Sequence, residues 1–555
     1  MAAASLASIM RDQVALSVTC LDRLYLNGYV PTLQSPGQLV RFCREHLGKP
    51  IASPALFRPL HDRFVNAVQT FAQQHRVPLI HFARRQRKDE VAAWYRARFQ
   101  PAEGVVFIGI AQEKATSFKA RKVSHSGHVS FDFSRQSVAV NHIYFYVQDL
   151  EWGPAFVKVG TYLPYPVRVC LNGHHWAQQQ LRRAGVAFEA LDNGFRWCEQ
   201  PARLQAVCDA LGPTDVQAFF DRWVDRLPWP LTSVDQAAGY RHRLSLWQVE
   251  VSLTQIFRQP VYGRRVFEAM LRENLDLGRP DRVSLMFPTR LTRATPPPRH
   301  GYQTRVVTVG VAPSLHVAFK HTDLKQYWKG GCGLRTETTF NDPTDVQPTK
   351  ALATLPHLRE VGSQINTRLL EAERLSQTLI VQPSLVERVQ QPVLAGKQRV
   401  PALRLGDPRV LALLQAVCHF AHLPNGFRHR DLRPLVAGLL GRELTAYSAG
   451  AMTYDLRRLR LHGVITRMPR SFRYVVSPHG MRLAFGLSRI YLRLLQPNWT
   501  DLLVDTNHLP TPVRTALLQL DTALRQLHAN DLDLLYSVTP HELDSPFNIP
   551  RLTAR

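Results

Sequence analysis

Apolar residues recur along this chain with two different periods, and the period changes from segment to segment. In the first third, the runs LDRLYLNGYV (21–30), VPLIHFAR (77–84) and GVVFIGIAQE (104–113) read as strands. Between them PGQLVRFCREHLG (36–48), residues 57–75 and KDEVAAWYRARF (88–99) carry the spacing of amphipathic helices. That alternation predicts an α/β layer structure. From about Asn141 strands dominate, with HIYFYVQD, AFVKVGTY and PVRVCLNG in succession, then a helix HWAQQQLRRAG and a strand VAFEALDNG. Asn172-Gly173 and Asn193-Gly194 bound these runs as turn signals. A third stretch mixes the helix RRVFEAMLRENL with strands DRVSLMF, TRVVTVGV, SLHVAFKH and LRTETTFN, and the proline run 295–298 reads as an exposed loop inside it.

The pattern sharpens near the C-terminus. PRVLALLQAVCHFA predicts an apolar helix, GFR a short edge strand, and RDLRPLVAGLLG a second helix stopped at Gly441. Ser448 is placed to cap a third helix, in which Met452, Leu456 and Leu459 face the core and Thr453, Tyr454, Arg457 and Arg458 face outward. VITRM and FRYVV then predict a hairpin carrying Arg467, Arg470 and Arg473, and Ser477-Pro478 opens a last helix. TYDLRRLRLHGVITR followed by FRYVVSPHGMRLA resembles the winged-helix regulators of the MarR-like type, over about ninety residues. The resemblance implies a winged helix-turn-helix that holds duplex DNA with the third helix and the hairpin.

Charge supports that expectation. The 555 residues hold 69 Lys and Arg against 43 Asp and Glu, a formal charge of +26, which draws polyanions. Residues 405–495 contain 14 Arg against 4 carboxylates. Seven scattered cysteines without a CxxC read as reduced thiols, and the first residues carry no signal-peptide pattern, so a cytoplasmic protein without membrane attachment is expected. No GxxxxGK[ST], HExxH or GxSxG is present, which leaves ATP, zinc-protease and esterase chemistry without support.

The larger part offers three constellations. Lys114, Lys119, Arg121 and Lys122 in AQEKATSFKARK follow the strand GVVFIGI, where an α/β sheet binds anionic ligands. Asp149 and Asp192 are expected at two strand ends in an order that resembles the start of a ribonuclease-H-like nuclease or transposase, with Glu250 as a third carboxylate for Mg²⁺ or Mn²⁺. An ordinary turn at Asp192-Asn193-Gly194 is the alternative. KQYWKGGCGLRTETTFND resembles rolling-circle replication initiators, in which a Tyr followed by Lys precedes a strand with an acidic metal ligand; Tyr327, Lys329 and Glu337 match, and a His-hydrophobe-His motif does not occur beside them. Strand alternation also explains Arg335 and Glu337 as a same-face ion pair, and the adjacent His174 and His175 are candidate ligands or bases. DRLYLNGY, EWGPAFVK, PYPVRVCLNGHHW and LRTETTFND resemble an uncharacterised family of bacterial proteins that ends in the same winged-helix pattern.

The expected chain is an α+β multidomain protein: an N-terminal α/β domain over 1–115, a central α/β domain over 116–235, an α+β domain over 236–385, a linker over 386–404, a winged helix-turn-helix over 405–500 and a helical tail over 501–555. Its expected partner is duplex DNA, with RNA as a second candidate, in replication, mobility or defence of a genetic element. A metal-dependent nuclease or nicking enzyme and a transcription regulator with a sensing body are the alternatives.

Overall fold

The computed structural model describes residues 13–125, 128–274, 302–309, 312–347, 349–377, 383–395, 398–421 and 423–490, together with 515, 519 and 522. The expected strand 281–287, the proline run and nearly all of the tail therefore lie outside the described residues. One mixed sheet organises the body. Its strands are β1 (Val14–Tyr29), β2 (Leu79–His81), β3 (Gly104–His125), β4 (His128–Asp149), β5 (Gly153–Gly160), β6 (Val167–Asn172), β9 (Arg243–Phe257), β10 (Tyr302–Val309), β11 (Ala312–Phe319), β12 (Thr322–Lys329) and β13 (Gly333–Phe340). They lie in the order β10-β11-β12-β13-β9-β1-β6-β5-β4-β3-β2. A separate pair, β7 (Phe188–Ala190) and β8 (Phe195–Cys198), forms its own small hairpin.

The alternation in the sequence explains this sheet better than the α/β expectation did. Only β2 and β3 pair in parallel; every other neighbouring pair is antiparallel. Antiparallel strands joined by short turns tolerate one open face, and that face reads as polar positions between apolar ones. In β5 and β6 the pattern is clean, with Val157, Val159, Val167 and Val169 closed and Lys158 and Arg168 half-buried between them. The same sheet crosses the boundaries expected near residues 115 and 235, and the first of them falls inside β3.

The helix Leu355–Gln377 packs against β9 and β13, where Gly362 leaves room for Val251 and Phe340 and Asn366 donates to the Val251 carbonyl at 3.0 Å. The helices Gly173–Arg183, Pro201–Ala210 and Pro213–Arg226 join the same apolar cluster through Ala177, Leu181, Leu204, Val216 and Phe219.

Apolar residues between Val410 and Leu487, joined by Phe319, Ala372, Val389 and Leu403, build a second cluster. Helix Pro408–Cys418 is capped by Asp407, strand β16 is Phe427–Arg428, and helices His429–Leu439 and Ala449–Leu461 follow. Ser448 Oγ accepts from the Ala451 amide at 3.1 Å, as an N-cap should. Strands β17 (Ile465–Arg467) and β18 (Arg473–Val476) then pair, β16 adds to β18, and helix Pro478–Ile490 closes the unit. Two glycines are obligatory here: a Cβ on Gly426 or on Gly480 would enter the van der Waals shell of the Tyr474 or Val464 carbonyl.

The expected linker is structured. Residues Pro383–Gln390 are helical, and β14 (Val393–Ala395) pairs with β15 (Gln398–Val400). Val389 and Leu403 are both fully buried in the second cluster, which gives the segment a reason to fold. Body and C-terminal unit are also joined by side chains. Arg368 donates to the Ala421 and Val476 carbonyls at 2.8 and 2.9 Å, and Arg473 donates to the Asp345, Asn425 and Gly426 carbonyls. No helix among the described residues is long and apolar enough to cross a membrane.

Candidate functional site

Of the carboxylates expected at the site, Glu250 and Glu337 come together and Asp149 and Asp192 do not. Asp149 ends β4 as expected, but its oxygens are already engaged. They accept from the Glu151 and Trp152 amides at 2.8 and 3.0 Å, from Arg222 at 2.9 Å and from the Trp223 indole at 2.7 Å. It is a buried turn cap. Asp192 belongs to the β7–β8 hairpin turn, with φ of 51° and its side chain 90% exposed, facing Lys329 at 3.7 Å. The ordinary turn, weighed above as the alternative, describes it.

Glu337 instead meets Asp22 and Glu250, with one oxygen of each within 4.8 Å of the others. Register explains the meeting. Glu337 on β13 lies opposite Ser252 on β9, and Glu250 precedes Ser252 by one alternation. Across β9 the pairing with β1 slips between Leu21 and Leu24, and Asp22 sits in that bulge opposite Glu250. A bulge re-aims a side chain, here a carboxylate between the buried Leu21 and Leu24.

The cluster is held by cations and amides. Arg335, fully buried, bonds Asp22 through Nη2, places Nε 2.6 Å from Glu337 and donates Nη1 to the Asn193 carbonyl at 2.8 Å. Asn193 Nδ2 donates to Asp22 at 2.9 Å, and Lys329 bonds the Asn193 side chain. His174 Nε2 lies 3.1 Å from Arg335 Nη2 and 3.0 Å from Ser252 Oγ. Tyr327 donates its hydroxyl to Glu337 at 2.8 Å.

These neighbours push the acids apart. Burial alone would raise Asp22, but Arg335 and His174 hold its carboxyl at about 2. Burial, then Glu337 and Asp22, push Glu250 upward, toward its protonated form. Burial drives His174 down to about 3 and raises the Tyr327 phenol, so both are neutral at pH 7. Lys329 is lowered by burial and by Arg335.

A divalent cation fits this donor set in number and hardness, since Mg²⁺ and Mn²⁺ take carboxylate oxygens. Arg335 already pairs with two of the three acids, so a metal must share or displace it. Sequence reading reached Glu337, Tyr327, Lys329, Glu250 and His174 but missed Asp22 and gave Arg335 only an ordinary pairing role. The signal for Asp22 was a lone acid inside an apolar strand. His175 is apart from the cluster, its amide bonded to the Asn172 cap.

The basic residues divide as well. Lys114, Lys119, Arg121 and Lys122 are exposed, yet they lie within β3 rather than in a loop after it, because pairing with β4 continues to His125. Lys114 and Lys122 share one face of that ribbon and Lys119 and Arg121 the other. In the C-terminal unit Thr453, Tyr454, Arg457, Arg467 and Arg470 are exposed as expected. Arg458 is not: it is buried and donates to the Ala402 carbonyl at 2.8 Å, because the 398–403 segment covers that side of the helix. Arg473 is half-buried in the joint with the body.

No family model matches the chain, and no curated protein does. A solved structure that matches is the rolling circle replication initiator protein from Geobacillus stearothermophilus, with 8% identity, a TM-score of 0.20, and coverage of 65% of this chain and 85% of that one. A likeness at that TM-score carries no argument about fold or function.

Proposed function

We propose that this chain is a DNA-binding protein that docks on duplex DNA through residues 405–490, folded as a winged helix-turn-helix of MarR-like type and serving replication, mobility or defence of a genetic element. One observation carries the reading: the outward face of helix Ala449–Leu461 and the β17–β18 tip expose cations and no carboxylate. Arg457, Arg460, Arg467 and Arg470 are exposed, and Phe472 is 81% exposed beside Arg467. The helix's single acid, Asp455, is turned inward, where Tyr447 and Arg409 bind it. A helix that only met solvent would mix acids into that face. A helix in the major groove with a basic wing on phosphate uses such a face fully. Titration of full-length protein onto duplex DNA over a salt series tests it. Binding should weaken steeply with salt, since each phosphate neutralised releases counterions; salt-independent or absent binding at low ionic strength refutes it.

The Asp22–Glu250–Glu337 cluster supports a second reading, metal-dependent scission of a phosphodiester in the body. A cation held there would act as a Lewis acid on phosphate. The chain's own groups would position it through Asp22 and Glu337, and Tyr327 would present a neutral hydroxyl beside it. Nicking of supercoiled DNA with Mn²⁺ that disappears in Glu337→Gln and persists in Asp149→Asn and Asp192→Asn is the expected result.

A further inference from the structure

The sheet carries a second polar group that neither reading uses. Across the strands Tyr144 lies opposite Lys158, Lys158 opposite Arg168, Arg168 opposite Asn27, and Asn27 opposite Ser245. Directly opposed residues project from the same face, so these five side chains form one row over β4, β5, β6, β1 and β9.

Aromatic rings interleave with the row. Phe156 lies 6.4 Å from Tyr25, 5.8 Å from Tyr144 and 5.6 Å from Tyr146, between ring centroids. The Arg168 guanidinium is stacked 3.0 Å from the Trp247 ring centroid and donates to Asn27 at 2.9 Å. Lys88 and Lys158 both bind Glu113, and Lys88 lies 4.3 Å from the Tyr144 ring centroid. Two cations thus meet one carboxylate, and Arg168 adds a third cation to the same row. Tyr25, Asn27, Phe156, Lys158, Arg168 and Trp247 are half-buried, whereas Leu26, Val157, Val167, Val169 and Leu246 on the reverse face are closed.

Half-buried rings such as Tyr25, Phe156 and Trp247, spaced between cations on one face of a sheet, suit unpaired bases, which stack on aromatic and guanidinium planes while cations meet their phosphates. A duplex hides its base faces and gains nothing from such a surface. We propose that this face binds single-stranded DNA. The assignment to DNA rests on the proposed function above. On β9 the same face continues along the strand from Ser245 through Gln248 to Glu250 of the carboxylate cluster.

The test uses full-length protein with a fluorescent oligothymidine of about 20 nucleotides and a duplex of the same length, read by anisotropy. Trp247→Ala should weaken oligothymidine binding about tenfold, Trp247→Phe should retain most of it, and Arg168→Gln should reduce the salt slope by about 0.7. Duplex binding should be unchanged in all three. Wild-type oligothymidine affinity in both Trp247→Ala and Arg168→Gln overturns the inference, as does equal weakening on both probes. Tighter binding of oligouridine than oligothymidine overturns the assignment to DNA. Arg470→Ala separates the two readings, because it should weaken the duplex alone. A protein that never binds duplex but loses oligothymidine through Trp247→Ala refutes the winged-helix proposal and upholds this one.

Discussion

The sheet and the C-terminal unit use charge in opposite ways. In the sheet, Arg335, Asp22 and Glu337 are turned inward and ion-paired with one another; in the unit, Arg457, Arg467 and Arg470 face outward while Asp455 is buried. The net charge of the chain describes only the second arrangement. Buried groups are chosen for partners and geometry, and their sum is nearly neutral, so composition predicts a polyanion-binding surface and is silent about the centre of the sheet.

The largest expected effect breaks the inward arrangement. Arg335→Met leaves Asp22 buried without its cation and should destabilise folding by about 3–5 kcal/mol, measured by urea unfolding; a loss under about 1 kcal/mol would mean the pair is dispensable. Asp455→Ala comes next. It strips Tyr447 and Arg409 of their acceptor and should cost about 2–3 kcal/mol in the same assay, whereas Arg470→Ala, which removes charge from the same unit's surface, should stay within about 0.5 kcal/mol of wild type.

Acid pH sharpens the contrast further. Burial holds His142 at about 4, below the ordinary value near 6.5 of an unfolded histidine. Between those values the unfolded chain binds a proton that the folded chain refuses, so stability falls as pH drops, by about 1 kcal/mol per pH unit for this group. His174 acts in the same direction. Glu250, raised in the fold, has the opposite sign, because it loses stability as pH rises above the unfolded carboxyl value. Melting temperatures between pH 6.5 and 5 should therefore show a flatter slope in His142→Gln and a steeper one in Glu250→Gln. The reverse order would show that the signs are misassigned. The smallest effect belongs to Asp192→Asn, expected within about 0.5 kcal/mol since its carboxylate is exposed.

Legibility followed sequence distance. The C-terminal helices, their caps at Ser448 and Ser477 and their stops at Gly441 and Gly463 could be read because each signal lies within a few residues of what it determines. Arg458 misled because its cover comes from Ala402, more than fifty positions away. Asp149 misled because a strand-end acid looks alike whether it awaits a ligand or already accepts from Trp223. Asp22 was illegible for the plainest reason: its partner Arg335 is 313 positions distant, and only the sheet order β13-β9-β1 brings them together. Glu337 was legible because Tyr327 and Lys329 precede it closely.

The joint between the sheet and the C-terminal unit has a consequence for how such a protein can diverge. Arg368 and Arg473 donate to main-chain carbonyls of Ala421, Val476, Asn425, Gly426 and Asp345, and a carbonyl is present whatever side chain is written at its position. Selection can therefore rewrite the accepting residues freely, within the space Gly426 demands, while the two donors have no substitute of equal reach. In a set of diverged descendants the joint would survive as a pair of fixed arginines facing a drifting background, a lineage mark located outside the carboxylate cluster.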